Sequence, residues 1–291
     1  MKFKAAAAIA ALALLAACGS NSASRSDAAA PSTKGAQRIV SLSPTATEML
    51  FAIRADKQVV AVDSNSNFPA EAPKTDLSAY QPSAEAVAKY KPDLVVISDD
   101  SKGVKAQLEK LKIPVLVAPA AKTLDDTYRQ INELGTKTGR RGEAERLVTS
   151  MRKRIDTMVR DLPQRGEPLT YFHELDNTLY TATSKTFIGQ LYALAGLKNI
   201  ADPADSAGGG YPQLSAEYLL KADPDLVFLA DTKCCAQTAA TYAKRPGFGR
   251  LQAVREGRVV PLDDDVASRW GPRIVDLLQR IIDVVKAIRA T

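Results

Sequence analysis

Residues 83–97 read SAEAVAKYKPDLVVI, and residues 215–229 read SAEYLLKADPDLVFL. Eight of the fifteen positions agree, far more than unrelated stretches share. Each copy predicts the same local structure. Ser83 and Ser215 are placed to cap a short helix by accepting from its free amides. Glu85 and Glu217 follow in the first turn, where the positive end of the helix dipole favours a carboxylate. Pro92 and Pro224 stop the helix, and Leu94–Ile97 and Leu226–Leu229 run on as buried strands. A unit that returns after 132 residues is spaced too widely for a solenoid. It predicts two similar lobes.

The flanking sequence fits that duplication. Arg38–Leu42 reads as a strand broken by Ser43-Pro44, and the helix from Thr45 puts Met49, Leu50 and Ile53 on one face. Val59–Val62 and Val115–Val117 add strands, and a loop over 63–81 carries Phe68 and Tyr80. From 124 to 162 only helical spacing remains. Gly139 and Gly142 divide it, and Glu143–Leu162 predicts a rod about 30 Å long at 1.5 Å per residue. The second half has strands at Leu169–His173 and Arg258–Pro261, with Leu179–Thr181 as a partner strand across a turn at Asp176-Asn177. It also has a helix over Phe187–Gly196, short helices around 238–253, a Gly-rich loop over 202–212, and a last helix from Pro272. Alternating strand and helix predict an α/β fold: two lobes, each with a central, mostly parallel sheet flanked by helices, joined by one long helix. The expected N-terminal lobe spans 37–140, the connecting helix 141–164 and the C-terminal lobe 165–291. One helical rod resists bending, so a small opening motion is expected rather than a wide closure.

The composition, 45% hydrophobic and 25% charged, is that of a soluble globular protein. Of the net charge of +6, half falls in residues 1–36, and the rest of the chain carries 35 basic against 32 acidic residues. With no basic run interleaved with aromatics, nucleic acid is not an expected partner. Lys2 and Lys4 precede the apolar run 5–17, which is too short to anchor the chain across a bilayer and has the layout of a secretory signal. Leu15-Ala16-Ala17-Cys18 is similar to a lipobox. Residues 1–18 are therefore expected to be a lipoprotein signal peptide and Cys18 the diacylated first residue. The alternative is cleavage after an alanine, leaving Cys18 unmodified. Residues 19–36, Ser/Ala-rich and without period, read as a flexible tether. The expected location is the extracytoplasmic face of the cell membrane, lipid-anchored. Outside the cytoplasm the adjacent Cys234 and Cys235 can oxidise, leaving a strained vicinal disulfide, an intermolecular link or two free thiols as the options. Their spacing is not that of a zinc site, and the chain has one His, so no metal site is expected.

No Gly-x-Ser-x-Gly, P-loop or Gly-x-Gly-x-x-Gly is present, and Gly208-Gly209-Gly210 is not followed by Lys-Ser/Thr. Asp263-Asp264-Asp265 reads as a cation-binding run or, more simply, a solvated turn. An exported two-lobed chain without a catalytic set reads as a binding protein with its ligand between the lobes, not as an enzyme.

The stretch Arg38–Glu48 (RIVSLSPTATE), the two Pro-Asp-Leu-Val units and Gly271-Pro272-Arg273 together resemble the helical-backbone solute-binding proteins of ABC importers, from about Gln37 to the C-terminus. These serve cobalamin, ferric siderophores and haem, and the nearest pattern is that of the vitamin B12-binding members. The resemblance implies two lobes bridged by one long helix and a ligand in the shallow cleft between them. It implies an ABC permease dimer with its ATPase as partner, docked by one Glu on each lobe, here Glu85 and Glu217. In the vitamin B12-binding members aromatics line the cleft just before each docking Glu, and Tyr80 and Tyr211 stand at those places. Asn65 stands where such a protein has another aromatic, and His173 or Glu174 where it has a further one. Trp270 would cover the ligand or pack under the last helix. His173 would ligate cobalt or iron, or serve as a hydrogen-bonded structural residue. Arg269, and less so Arg245, would meet an anionic siderophore. The expected function is capture of a metal-chelate nutrient, a corrinoid first and a ferric siderophore or haem as the alternative, with no cofactor beyond that cargo. A surface hydrolase or chelatase on the same fold is the distant alternative.

Overall fold

The computed structural model describes residues 35–163 and 166–288. The signal sequence, Cys18 and the tether up to residue 34 lie outside the described residues. In chain order the first half holds β1 (Ile39–Leu42), α1 (Pro44–Ala52), β2 (Val59–Val62), α2 (Ala84–Ala88), β3 (Leu94–Ile97), α3 (Val104–Lys110), β4 (Val115–Val117) and α4 (Leu124–Thr138). Then comes α5 (Arg141–Arg160). The second half holds β5 (Thr170–Glu174), α6 (Phe187–Leu194), β6 (Lys198–Asn199), α7 (Ala216–Ala222), β7 (Leu226–Leu229), α8 (Ala239–Ala243), α9 (Gln252–Arg255), β8 (Val259–Pro261), α10 (Asp264–Ala267) and α11 (Ile274–Ala287).

The strands form two four-stranded sheets with orders β2-β1-β3-β4 and β6-β5-β7-β8. Every pairing among these strands is parallel. The two orders are the same once the strands are counted within each half, so the duplication read in the sequence extends to the topology. In each half the repeated unit supplies the helix and strand beside the first strand. Ser83 Oγ accepts from the Ala86 amide and Ser215 Oγ from the Tyr218 amide, as capping requires. The Asp of each Pro-Asp-Leu has a role the sequence did not disclose. Asp93 accepts from the Gln37 and Arg38 amides, both at 2.8 Å, and Asp225 from the Thr170 amide and hydroxyl, also at 2.8 Å. Each carboxylate pins the start of the neighbouring strand.

Strand alternation assigns the two faces of each sheet. Ile39, Leu94, Val96, Tyr171, Leu226 and Phe228 join one core cluster that also holds residues of α1, α4, α5, α6 and α11. The alternate residues Val40, Leu42, Val95 and Ile97 pack in a separate N-terminal cluster, and Phe172, Val227 and Leu229 in a separate C-terminal one. The core is therefore a shared spine with an outer layer on each half. Helix α5 contributes Ala144, Val148, Met151, Ile155 and Met158 to the spine from one face, as an amphipathic helix does. No helix among the described residues is long and apolar enough to cross a membrane.

A second tie joins the halves besides α5. The segment 265–273 lies against α1 and α4. Buried Glu48 on α1 accepts from Arg269 Nη1 and Arg273 Nε, each at 2.9 Å, and from Arg273 Nη2. Trp270 donates its indole N–H to Gln130 Oε1 at 3.0 Å, and its carbonyl accepts from the Thr127 hydroxyl. Gly271 permits this approach, because a Cβ there would come within 3.2 Å of Glu48 Oε2. The halves are thus held by this cluster as well as by the one connecting helix.

Three smaller expectations differ. Leu179–Thr181 makes only isolated bridges, from Thr181 to Glu174 and from Tyr180 to Gln213, rather than a strand. The two-residue β6 carried no apolar run to mark it. Gly35 and Ala36, placed in the tether, fold onto the end of α4: the Ala36 amide donates to the Lys137 carbonyl at 2.8 Å.

Replacing Glu48 leaves two largely buried guanidiniums without their shared acceptor. Glu48→Gln is expected to cost roughly 3–5 kcal/mol, measured by urea unfolding; a loss within error of zero would show that the cluster does not brace the halves.

Candidate ligand cleft

In a parallel sheet with this order, the crossovers diverge between the first and third strands, and ligands favour the crevice at the carboxyl ends there. In the N-terminal half that point is open. A cavity of about 480 Å³ is lined by Ser43, Pro44 and Thr45 after β1, Ser64, Asn65 and Asn67 after β2, and Ser98 and Asp99 after β3. Ala79 and Tyr80 flank it, and Asp265, Ser268, Arg269 and Trp270 of the other half complete it. Four of the expected ligand residues, Asn65, Tyr80, Arg269 and Trp270, therefore share one cavity. Tyr80 is 76% exposed, so its ring is available at the rim. Tyr211, 54% exposed, lines a different recess formed by 204–213. The structure does not bring it into the same cavity as Tyr80.

Both terminal nitrogens of Arg269 are engaged. It donates to Glu48 Oε1 (2.9 Å), Asn67 Oδ1 (3.0 Å), the Asn65 carbonyl (3.1 Å) and Asp265 Oδ1 (2.7 Å). It holds the cleft floor rather than offering a free guanidinium. Asp265 also accepts from the Asn67 amide group at 2.9 Å and from Lys233 Nζ at 2.7 Å. The hydrogen bonds to Ser101 hold the Asp99 carboxyl below its ordinary range, so it is ionised at neutral pH. The cavity wall thus presents hydroxyls, amides and carboxylates, and among its lining residues the single cation is neutralised. Asp263, Asp264 and Asp265 are engaged with Lys233, Arg269 and backbone amides, and no cluster of three or more metal-ligating side chains occurs among the described residues.

The equivalent point in the C-terminal half is filled. Arg245 donates to both oxygens of Glu174 at 2.7 and 2.6 Å, to Gln237 Oε1 at 2.8 Å, and stacks over Tyr242. His173 and Glu174 are both fully buried, which corrects the expectation that one or the other faces the ligand; His173 takes the alternative role, a hydrogen-bonded structural residue. The alternation of β5 explains the result. His173 faces the spine, where Nδ1 pairs with the Tyr192 hydroxyl at 2.8 Å, and burial pushes its pKa down to about 4. Glu174 faces the other side, under Arg245, so neither Glu174 nor Arg245 is offered to a ligand. Asp231 lies fully buried with its carboxyl against that of Glu174. A carboxyl–carboxyl contact of this kind holds only when one of the two carries a proton. Burial raises both, Glu174 to about 7.

Ser43, Thr45, Ser64, Ser98 and Asp99 line the cavity without having been singled out in the sequence. The signal that finds them is position: each follows the carboxyl end of a strand. Glu85 and Glu217 are both exposed on the repeated helices. Ser83 Oγ donates to Glu85 Oε2 at 3.0 Å, and hydrogen bonds from its own amide and from Ser83 keep the Glu85 carboxyl below its ordinary range.

Residues 39–266 match the family model of the periplasmic binding proteins. The chain belongs to that family. It is 29% identical over 262 residues to the uncharacterized ABC transporter substrate-binding lipoprotein YvrC of Bacillus subtilis, covering 87% of this chain and 81% of that one. It is 27% identical over 258 residues to a vitamin B12-binding protein of Pectobacterium carotovorum, covering 87% and 89%. Among solved structures, a possible iron-binding, periplasmic solute-binding protein of Staphylococcus epidermidis superposes with a TM-score of 0.74 at 27% identity, covering 87% and 99%. Family and relatives are solute-binding proteins, not enzymes. The chain is a substrate-binding protein of the ABC-importer type, working outside the cytoplasm.

The acidic pair fixes a pH dependence. Its carboxyls are raised on folding, so the stability it confers is fully present below the ordinary carboxyl range and is lost as pH rises towards about 7. Asp231→Asn removes the competing charge. It is expected to stabilise the protein by about 1–3 kcal/mol at pH 8 and to change little at pH 4, measured by thermal unfolding; equal shifts at both pH values would contradict the shared proton.

Proposed function

We propose that this protein captures a corrinoid outside the cytoplasm and delivers it to an ABC importer. The observation that carries the reading is the chemistry of the cleft: many hydroxyl, amide and carboxylate groups, an exposed tyrosine and an indole at its edge, and no unpaired cation among its lining residues. A haem presents carboxylates, and many ferric siderophores carry net negative charge. Either would need an unneutralised Arg or Lys where this cleft has ionised Asp99 and an Arg269 already paired with Glu48 and Asp265. A corrinoid instead is fringed with amides, which pair with Asn65 and the serine hydroxyls while its flat face lies on Tyr80. The similarity to the vitamin B12-binding protein of Pectobacterium carotovorum supports the same choice.

Glu85 and Glu217 dock the permease. Both are exposed, both stand at the same position of a duplicated helix, and two carboxylates held apart by a stiff frame set the register on two symmetry-related basic pockets. Cys18 carries the lipid anchor, a role supported by the lipobox-like sequence and by the lipoprotein relative in Bacillus subtilis. The ABC permease and its ATPase are the partners.

Calorimetric titration of the purified chain with cyanocobalamin, haem and a ferric hydroxamate is expected to give saturable, stoichiometric heat with cyanocobalamin alone. Saturable binding of haem or the hydroxamate with none of cyanocobalamin would overturn the corrinoid assignment. In cells that depend on this protein for uptake, Glu85→Ala combined with Glu217→Ala is expected to abolish transport while leaving ligand affinity within twofold of the parent; transport at the parental rate would remove the docking role.

A further inference from the structure

Cys234 and Cys235 sit in the loop between β7 and α8. Both are free, Cys234 exposed and Cys235 half-buried, and the two thiols lie within hydrogen-bonding reach of each other. The backbone on either side is held. The amides of Thr232, Lys233 and Cys234 donate to the Asp264 carboxylate at 2.8, 2.9 and 2.9 Å. The amides of Cys235 and Gln237 converge on the Asp231 carbonyl, both at 3.3 Å, and Ala236 takes a left-handed φ of 51°. The loop thus presents two adjacent thiols on a fixed frame, and that frame shares its anchor with the cleft. Asp264 stands beside Asp265, which holds Arg269 and Asn67, and Lys233 bridges Asp263 and Asp265.

We propose that Cys234 and Cys235 are a reversible oxidation site, converted to a vicinal disulfide by exchange with a small-molecule disulfide, and that its closure loosens the turn that the loop makes on the Asp231 carbonyl. Consecutive Cα atoms are about 3.8 Å apart across a trans peptide, less than the spacing of about 4.4–6.8 Å that ordinary disulfides take. Closing the ring therefore twists the 234–235 peptide, and a bond strained in this way is readily reduced. The site switches rather than stiffens. The twist acts on the N–H of that peptide, the Cys235 amide, which donates to the Asp231 carbonyl at 3.3 Å, and so on the turn that also brings the Gln237 amide to the same carbonyl. The extracytoplasmic setting of the family provides oxidising conditions.

The Cys234 thiolate attacks one sulfur of the incoming disulfide, forming a mixed disulfide and releasing one thiolate. The Cys235 thiolate then attacks the Cys234 sulfur, forming the vicinal bond and releasing the second thiolate. The protein loses two electrons, the small disulfide gains them, and the two protein thiol protons end on the two departing thiols. The contact with Cys235, with burial and the nearby Asp264 and Asp231, pushes the Cys234 thiol up to about 12, so exchange is slow at neutral pH and accelerates as pH rises.

The test is incubation of the full chain with oxidised glutathione, followed by peptide mass mapping and amide hydrogen exchange. The expected product is loss of two hydrogens on the peptide holding both cysteines, reversed by dithiothreitol, with several-fold faster exchange at the amides of 235 and 237. Cys235→Ser is expected to stop at a glutathione adduct on Cys234. A stable adduct on the parent chain, a disulfide-linked dimer, unreacted thiols, or unchanged amide exchange after oxidation would each overturn the proposal.

Discussion

One buried carboxylate sets the relation between the halves. Glu48 is 2% exposed at its side chain and lies between two guanidiniums that arrive from the far end of the chain. Taking these charges out of water costs several kcal/mol per ion, and the cost is met only when geometry and hydrogen bonding are nearly complete. Here they are: three donors reach the Glu48 oxygens, and the other terminal donors of Arg269 find Asn65, Asn67 and Asp265. A hydrophobic contact would tolerate sliding, whereas this arrangement tolerates one register. It explains why a glycine precedes Pro272, why Trp270 is brought to Gln130, and why a C-terminal segment forms the floor of a cleft that otherwise belongs to the N-terminal sheet.

The duplicated topology is used differently in its two copies. Each sheet diverges between its first and third strands, and in the N-terminal half the crevice there remains open. In the C-terminal half Arg245, Glu174 and Tyr242 occupy it. Leu42 and Glu174 hold the same strand position in the two halves, each at the carboxyl end and on the outer face. An apolar residue there packs into the outer layer. A carboxylate there demands a cation, and the cation that answers fills the crevice. Identical backbone order therefore yields one binding site and one sealed point.

The fold was legible in the sequence because its signals are local: capping serines, helix-stopping prolines, strands of alternating or continuous apolar character, and a unit returning in both halves. Asp93 and Asp225 stood in plain view within that unit, yet their task depends on a strand start 55 or more residues away, which no local pattern reveals. His173 and Glu174 were misplaced for a related reason. Consecutive strand residues face opposite sides, and both sides of β5 are covered there, by Tyr192 over His173 and Arg245 over Glu174, so neither faces the cleft. The tyrosines at the two expected cleft positions are exposed, but only Tyr80 lines the cavity, because loop position and not residue type decides what a cavity wall contains. Arg269 was found by sequence as a free cation and is in fact committed four times over, since its partners come from 48, 65, 67 and 265.

The strength of these ties is graded, and the gradient determines where the cleft yields. The inner layer, Glu48 with Arg269 and Arg273, is shielded from solvent and loses several kcal/mol if one partner is removed. The outer layer, Asn67 with Asp265, faces water, and an exposed contact of this kind is worth about 0–1 kcal/mol. A force that parts the halves breaks the outer layer first, freeing Asn67 and Asp265 from the cleft wall while α5 and the Glu48 cluster stay intact. Opening is then a local loosening of the floor under the ligand. It needs no bending of a 20-residue helix, and it requires far less work than separating the spine that both halves share.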